Sequence, residues 1–134
     1  MPVLLLWQFR CYVSGDGTDE VRTWYEESNS KDIRSKFFSR LRALSGLPFQ
    51  EWRPPIFRWL DDGIGEIRFK ADRVQQRPLG FRGPRGNEFT IVFCATEKGD
   101  RFVPRDAIQR AIDRKSEIER HEATSTPCWL LTDT

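Results

Sequence analysis

Leu5, Trp7, Phe9, Cys11 and Val13 alternate with Gln8, Arg10 and Tyr12, a period of two that predicts a first strand over residues 4–13. Ser14, Gly15, Asp16 and Gly17 follow as a turn, because glycine accepts positive φ and aspartate bonds its own backbone. The period then becomes helical. Thr18 is placed as an N-cap with Asp19 and Glu20 in the first turn, and Val21, Trp24 and Tyr25 form the buried stripe of a helix ending near Ser28. Ser30 caps a second helix with Ile33, Phe37, Leu41 and Leu44 on one side and Gly46 as terminator. Two helices joined so closely predict a hairpin packed on one face of a sheet. Residues 47–62 carry Pro48, Pro54 and Pro55 and predict an irregular connector, anchored by Phe49, Trp52, Ile56, Phe57, Trp59 and Leu60.

Residues 63–101 read as three short strands joined by turns. Ile67, Phe69 and Ala71 point one way while Glu66, Arg68 and Lys70 point the other. Residues 88–96 are apolar on both sides, with Phe89, Ile91 and Phe93 against Val92 and Cys94, as in a strand from the middle of a sheet. Turns are marked by residues 71–73 and by the breakers of residues 83–87. Pro104 suits the first turn of a last helix with Ala107, Ile108, Ala111, Ile112 and Ile118 as its stripe. Residues 1–123 therefore make one domain, and residues 124–134 make a tail whose apolar cluster at Cys128, Trp129, Leu130 and Leu131 docks on the body or on a partner.

Charge sharpens this picture. Arg68, Lys70, Arg73, Arg77, Arg82 and Arg85 fall within eighteen positions that hold one acid, Asp72, although the whole chain carries a net charge of only +2. A positive sheet face is a place for phosphate. The second helix adds Lys31, Arg34, Lys36, Arg40 and Arg42, read first as a solvated face and second as another basic surface for RNA or an acidic partner. Three scattered cysteines, Cys11, Cys94 and Cys128, predict free thiols of a reducing cytoplasm, with Cys11 and Cys94 buried in strands. A single His121 and the absence of any Cys-x-x-Cys spacing leave no zinc site, and nothing calls for a metal or another cofactor. No apolar run is long enough to span a membrane.

The order strand, two helices, three-stranded meander and late helix takes on meaning from particular residues. Gly63-Ile64-Gly65-Glu66-Ile67-Arg68 resembles the G-x-x-E-[IL]-R element of the phage-derived HigB-like group in the RelE/ParE toxin superfamily. Arg77 with Leu79 and Phe81 resembles that group's arginine-bearing strand. The run from Ile91 to Lys98, then Pro104, Ala107, Ile108 and Ala111, resembles its ending, and Phe38, Leu41, Gly46, Leu47 and Pro48 fit its approach to the sheet. The likeness covers roughly residues 5 to 120. It implies an α+β, RelE-like fold: a twisted, mainly antiparallel sheet of about four strands, the N-terminal helical hairpin on one face, a C-terminal helix, and a basic concave face opposite the helices. There are departures. A single Lys98, with Arg101 three residues on, stands where the group has a lysine pair, and Pro78 removes a ladder donor, so its strand should be irregular there. No Tyr or His closes the last strand.

The resemblance implies the toxin of a type II toxin–antitoxin pair, cutting mRNA on the ribosome without metal and held in check by an antitoxin. Such chemistry needs a base for the ribose 2′-OH, cations for the phosphorane, and an acid for the leaving 5′ oxygen. Arg77, with Arg68 beside it, is placed at the phosphorane, since the guanidinium fork matches two phosphate oxygens. Lys98 holds the backbone or serves as base, and Glu66 is the alternative base. Lys70, Arg73, Arg82, Arg85 and Arg101 are placed along the RNA. Competing readings stand beside these: Glu66 paired with Arg68, Arg77 as a structural ion-pair partner, Arg82 and Arg85 as solubility residues at a hairpin tip, and His121 as a surface histidine. Two other functions share the resemblance: a ParE-like toxin acting on DNA gyrase, and a phage or prophage protein that kept the fold for binding alone.

Overall fold

The computed structural model describes residues 6–28 and 30–131. In chain order the strands are Gln8–Val13 (β1), Phe57–Trp59 (β2), Gly65–Ile67 (β3), Phe69–Ala71 (β4), Val74–Arg82 (β5), Glu88–Lys98 (β6), Arg101–Val103 (β7) and Thr124–Pro127 (β8). The helices are Glu20–Glu27 (α1), Lys31–Ser45 (α2) and Ala107–Glu119 (α3). Leu4 and Leu5, placed in the first strand by their alternation, lie outside the described residues.

All eight strands join one mixed sheet in the order β2-β3-β5-β6-β1-β8, with β4 also on β5 and β7 also on β6. The expectation of about four strands is therefore corrected. β2 and β7 are three-residue strands too short to stand out, the strand expected from Ile64 to Lys70 is split into β3 and β4, and β8 lies in the stretch taken for a tail. β1 runs parallel to β6 and antiparallel to β8, and every other pairing is antiparallel. The doubly apolar β6 is central, as its composition predicts.

The helices lie on opposite faces, which corrects the expectation of an open basic face across from them. α1 and α2 send Val21, Phe37, Leu41 and Leu44 into a core with Phe9, Cys11, Phe57, Phe69, Phe89 and Ile91. α3 sends Ala107 and Ala111 into a second core with Tyr12, Leu79, Phe81, Val92 and Ala95. The two sets alternate along β1 and β6, so the sheet separates them. Alternation along β6 is reset by a bulge: Leu79 pairs with Phe93 but Gly80 pairs with Ile91, leaving Val92 as the extra residue. A Cβ at Gly80 would lie 2.2 Å from the Thr90 carbonyl oxygen, so only glycine fits. The irregularity expected at Pro78 thus falls one residue later, while Pro78 itself pairs with Cys94.

Local signals explain most helix ends. Ser30 caps α2, its Oγ accepting from the Ile33 N–H at 3.1 Å, and Gly46 closes it. At α1 the cap is Asp19, accepting from the Arg22 N–H at 2.9 Å, one residue later than the expected Thr18. α3 begins at Ala107, after Pro104, whose carbonyl takes the Ala107 N–H. The β4–β5 turn has Asp72 at φ 50° and Arg73 at φ 64°, both central residues left-handed as a type I′ hairpin requires. It is tied to the start of α2, since Ser30 donates to the Asp72 carboxylate and the Asp72 N–H donates to Asp32 at 2.7 Å.

The three cysteines are unbonded, with Cys11 and Cys128 buried and Cys94 half-buried. A hydrogen bond between the Cys11 and Cys128 thiols raises the Cys11 pKa and lowers that of Cys128, and burial raises that of Cys94. No helix among the described residues is long and apolar enough to cross a membrane.

Candidate functional site

Register brings the charged residues of four strands to one place. Arg58 of β2 lies directly opposite Glu66 of β3, Glu66 lies opposite Leu79 of β5, and Arg77 sits two residues before Leu79 on the same face. Arg77 lies opposite Ala95 of β6, and Glu97 is two residues beyond it. Arg77 and Glu66 share the α3 face with Leu79 and Ala95, and Arg58 lines a surface cavity with Ile108 and Ile112 of α3.

Glu66 is fully buried, and its Oε1 has Arg58 Nη2 at 3.4 Å, Arg68 Nε at 3.4 Å and Arg77 Nε at 3.7 Å. None of these contacts to Oε1 is a hydrogen bond, so this buried oxygen sits among cations without a partner of its own. Arg77 is also buried, and each of its nitrogens has an acceptor. Nε and Nη2 reach Glu97 Oε1 at 3.1 and 2.9 Å, Nη1 donates to the Gln76 carbonyl at 2.9 Å, and Nη2 donates to Gln75 at 3.2 Å. Arg58 and Arg68 keep open sides, with side-chain exposures of 44% and 27%. Three guanidiniums against two carboxylates leave the cluster one positive charge in excess.

The structure thus brings Glu66, Arg68 and Arg77 together and realises both ion-pair readings given to them. Lys98 and Arg101 pair across the β6–β7 turn, exposed, beside Glu97. Arg73 stands in the β4–β5 turn at the same end of the sheet, and Lys70 is exposed on β4. Arg82 and Arg85 are not part of this group. Arg82 ends β5, about 17 Å beyond Arg77 at the rise of a strand, and Arg85 lies in the turn that follows. Arg82 instead lies over the rings of Phe49 and Trp7, 4.7 and 5.1 Å from their centres. His121 is exposed just past α3.

Sequence reading missed Arg58 and Glu97, which complete the cluster. Arg58 sat in a stretch taken as connector, although Phe57 and Trp59 flank it in strand fashion. Glu97 closes a strand whose register no local pattern reveals. Among the described residues no three His, Cys, Asp or Glu side chains come together as they would around a metal ion. No family model, no curated protein and no solved structure matches this chain.

Proposed function

We propose that the chain is the toxin of a type II toxin–antitoxin pair, acting in the cytoplasm as an mRNA endonuclease on the ribosome and neutralised by a small antitoxin protein. The sequence likeness of residues 63–68, 77–81 and 91–98 to HigB-like toxins supplies the reading. The observation that supports it best is the unsatisfied Glu66 carboxylate oxygen among Arg58, Arg68 and Arg77, two of which have open sides.

In this reading Arg68 and Arg58 take the non-bridging oxygens of the phosphate to be cut. Their movement toward phosphate frees Glu66 to accept the ribose 2′-OH proton. The 2′ oxygen attacks phosphorus, the bond to the 5′ oxygen breaks, and a proton supplied by Lys98 or water completes the 5′-OH. The other end is a 2′,3′-cyclic phosphate, and no water is consumed. Arg77 is a positioning residue here, fixing Glu66 from below.

One observation favours a second reading. Arg77 is saturated by Glu66, Glu97, Gln75 and Gln76, which suits a structural ion pair and hence a relative that binds without cutting, whether at gyrase or elsewhere. Induced expression of wild type and Arg68→Ala in bacteria separates them, with growth and the uptake of labelled methionine and thymidine followed. The nuclease reading expects wild type to halt growth and methionine uptake first, and Arg68→Ala to fold yet be harmless. Early loss of thymidine uptake would move the assignment to gyrase, and growth unaffected by wild type would sink the toxin reading.

A further inference from the structure

A groove follows the open edge of the sheet where α2 passes β4. One part, about 350 Å³, lies between Lys36, Ser39 and Arg40 of α2 and Phe69 and Lys70 of β4. Its continuation, about 250 Å³, is lined by Arg40, Ile56, Arg68, Phe69, Lys70 and Arg77. Arg40, Phe69 and Lys70 line both parts, so the two adjoin, and the second reaches Arg68 and Arg77 beside Glu66.

Five cations line this groove and no carboxylate does. Three are already engaged: Lys36 with Asp32 at 3.3 Å, and Arg68 and Arg77 with Glu66. Arg40 and Lys70 have no acid partner among the described residues. Arg40 Nε is buried without any hydrogen-bond acceptor, and burial lowers the guanidinium's pKa. A dehydrated donor of this kind is unfavourable until an acceptor arrives. Phosphate oxygens supply one, and the fork of a guanidinium fits them.

We propose that this groove carries the ribose–phosphate backbone of single-stranded RNA, with Arg40 and Lys70 each holding a phosphate ahead of the one that reaches Arg68. The choice of RNA rests on the nuclease reading above; the binding of phosphates rests on the groove alone. Arg40 would then work as a binding residue from a helix face that the sequence presents as ordinary solvated surface.

The test uses the full chain and a fluorescein-labelled, fully 2′-O-methylated RNA dodecamer, which cannot be cut, and follows anisotropy as salt is raised. Arg40→Gln and Lys70→Gln should each weaken binding about tenfold at low salt and flatten the log–log salt dependence by about 0.7. Arg120→Gln, an equal charge change beyond α3, should alter neither. Lys70 is exposed, so its substitution should leave the fold intact, and melting curves check both groove variants. Wild-type affinity in both groove variants, an unchanged salt slope, or binding to phosphatidylserine vesicles in place of the RNA would overturn the proposal. Cleavage of unmodified RNA is scored separately. Groove-dependent binding without cleavage removes the nuclease and keeps the groove, whereas cleavage indifferent to Arg40 and Lys70 removes the groove and keeps the nuclease.

Discussion

The two faces of the sheet solve burial differently. Under α1 and α2, rings meet rings: Phe9 stacks on Trp52 at 5.6 Å, and Phe57 meets Phe89 edge-on at 5.8 Å. Under α3, Ala107 and Ala111 meet Leu79, Phe81 and Val92, with Ile108, Ile112 and Ile118 packed beside them. There the strands bury Glu66 and Arg77. A face sealed by aromatics draws stability from apolar area, with little left to rearrange. A face that also buries ionised groups must neutralise charge with charge. Such pairing adds little net stability but places ionised groups within reach of a ligand.

The largest effect should come from the aromatic face. Phe89→Ala is expected to lower unfolding free energy by about 4 kcal/mol in urea titration, because the ring is fully buried and its neighbours cannot collapse. Glu66→Gln should cost about 3 kcal/mol by leaving Arg77 buried with a single counter-charge. A loss under ~1 kcal/mol would mean that the charged face relaxes freely, and the contrast drawn here would fail. Gly80→Ala should cost about 2 kcal/mol by crowding the bulge that resets β6.

A smaller effect sharpens the α3 face. Burial pushes the Tyr12 hydroxyl from 10.0 up to about 12, helped by its hydrogen bond to Glu117 at 2.7 Å. The native state therefore holds this proton more tightly than the unfolded chain. The associated stability is present below pH 10.0 and lost as pH rises toward about 12. Tyr12→Phe should lose about 1 kcal/mol at neutral pH and flatten the fall of melting temperature over that alkaline window. The smallest change is Arg110→Ala, which breaks an exposed pair with Asp106 and should cost less than ~0.5 kcal/mol.

How much of this was legible depended on range. Ser30 and Gly46 mark the ends of α2 because caps are local chemistry, and the doubly apolar run of β6 announces a central strand. The pairing of Glu66 with Arg68 needed only alternation. The strand number, the face taken by α3 and the meeting of Arg58 with Glu66 depend on pairings between distant segments, which leave no periodic trace. β2 is too short to show alternation, and the β6 bulge inverts it partway. Arg40 looked like solvated helix because a sequence shows which face a residue takes but not what runs past it.

β1 lies between β6 and β8, and its partners are residues 88–91 and 124–127. A chain emerging from the ribosome makes β1, then waits for more than a hundred further residues before the second neighbour exists. At about 5–20 residues per second that interval lasts on the order of ten seconds, and Trp7, Phe9 and Cys11 have a sheet to join only once β6 has been made. Contacts so distant along the chain also slow folding itself. A truncation after Ala123 would leave one side of β1 open to the pairing that nascent chains use to aggregate.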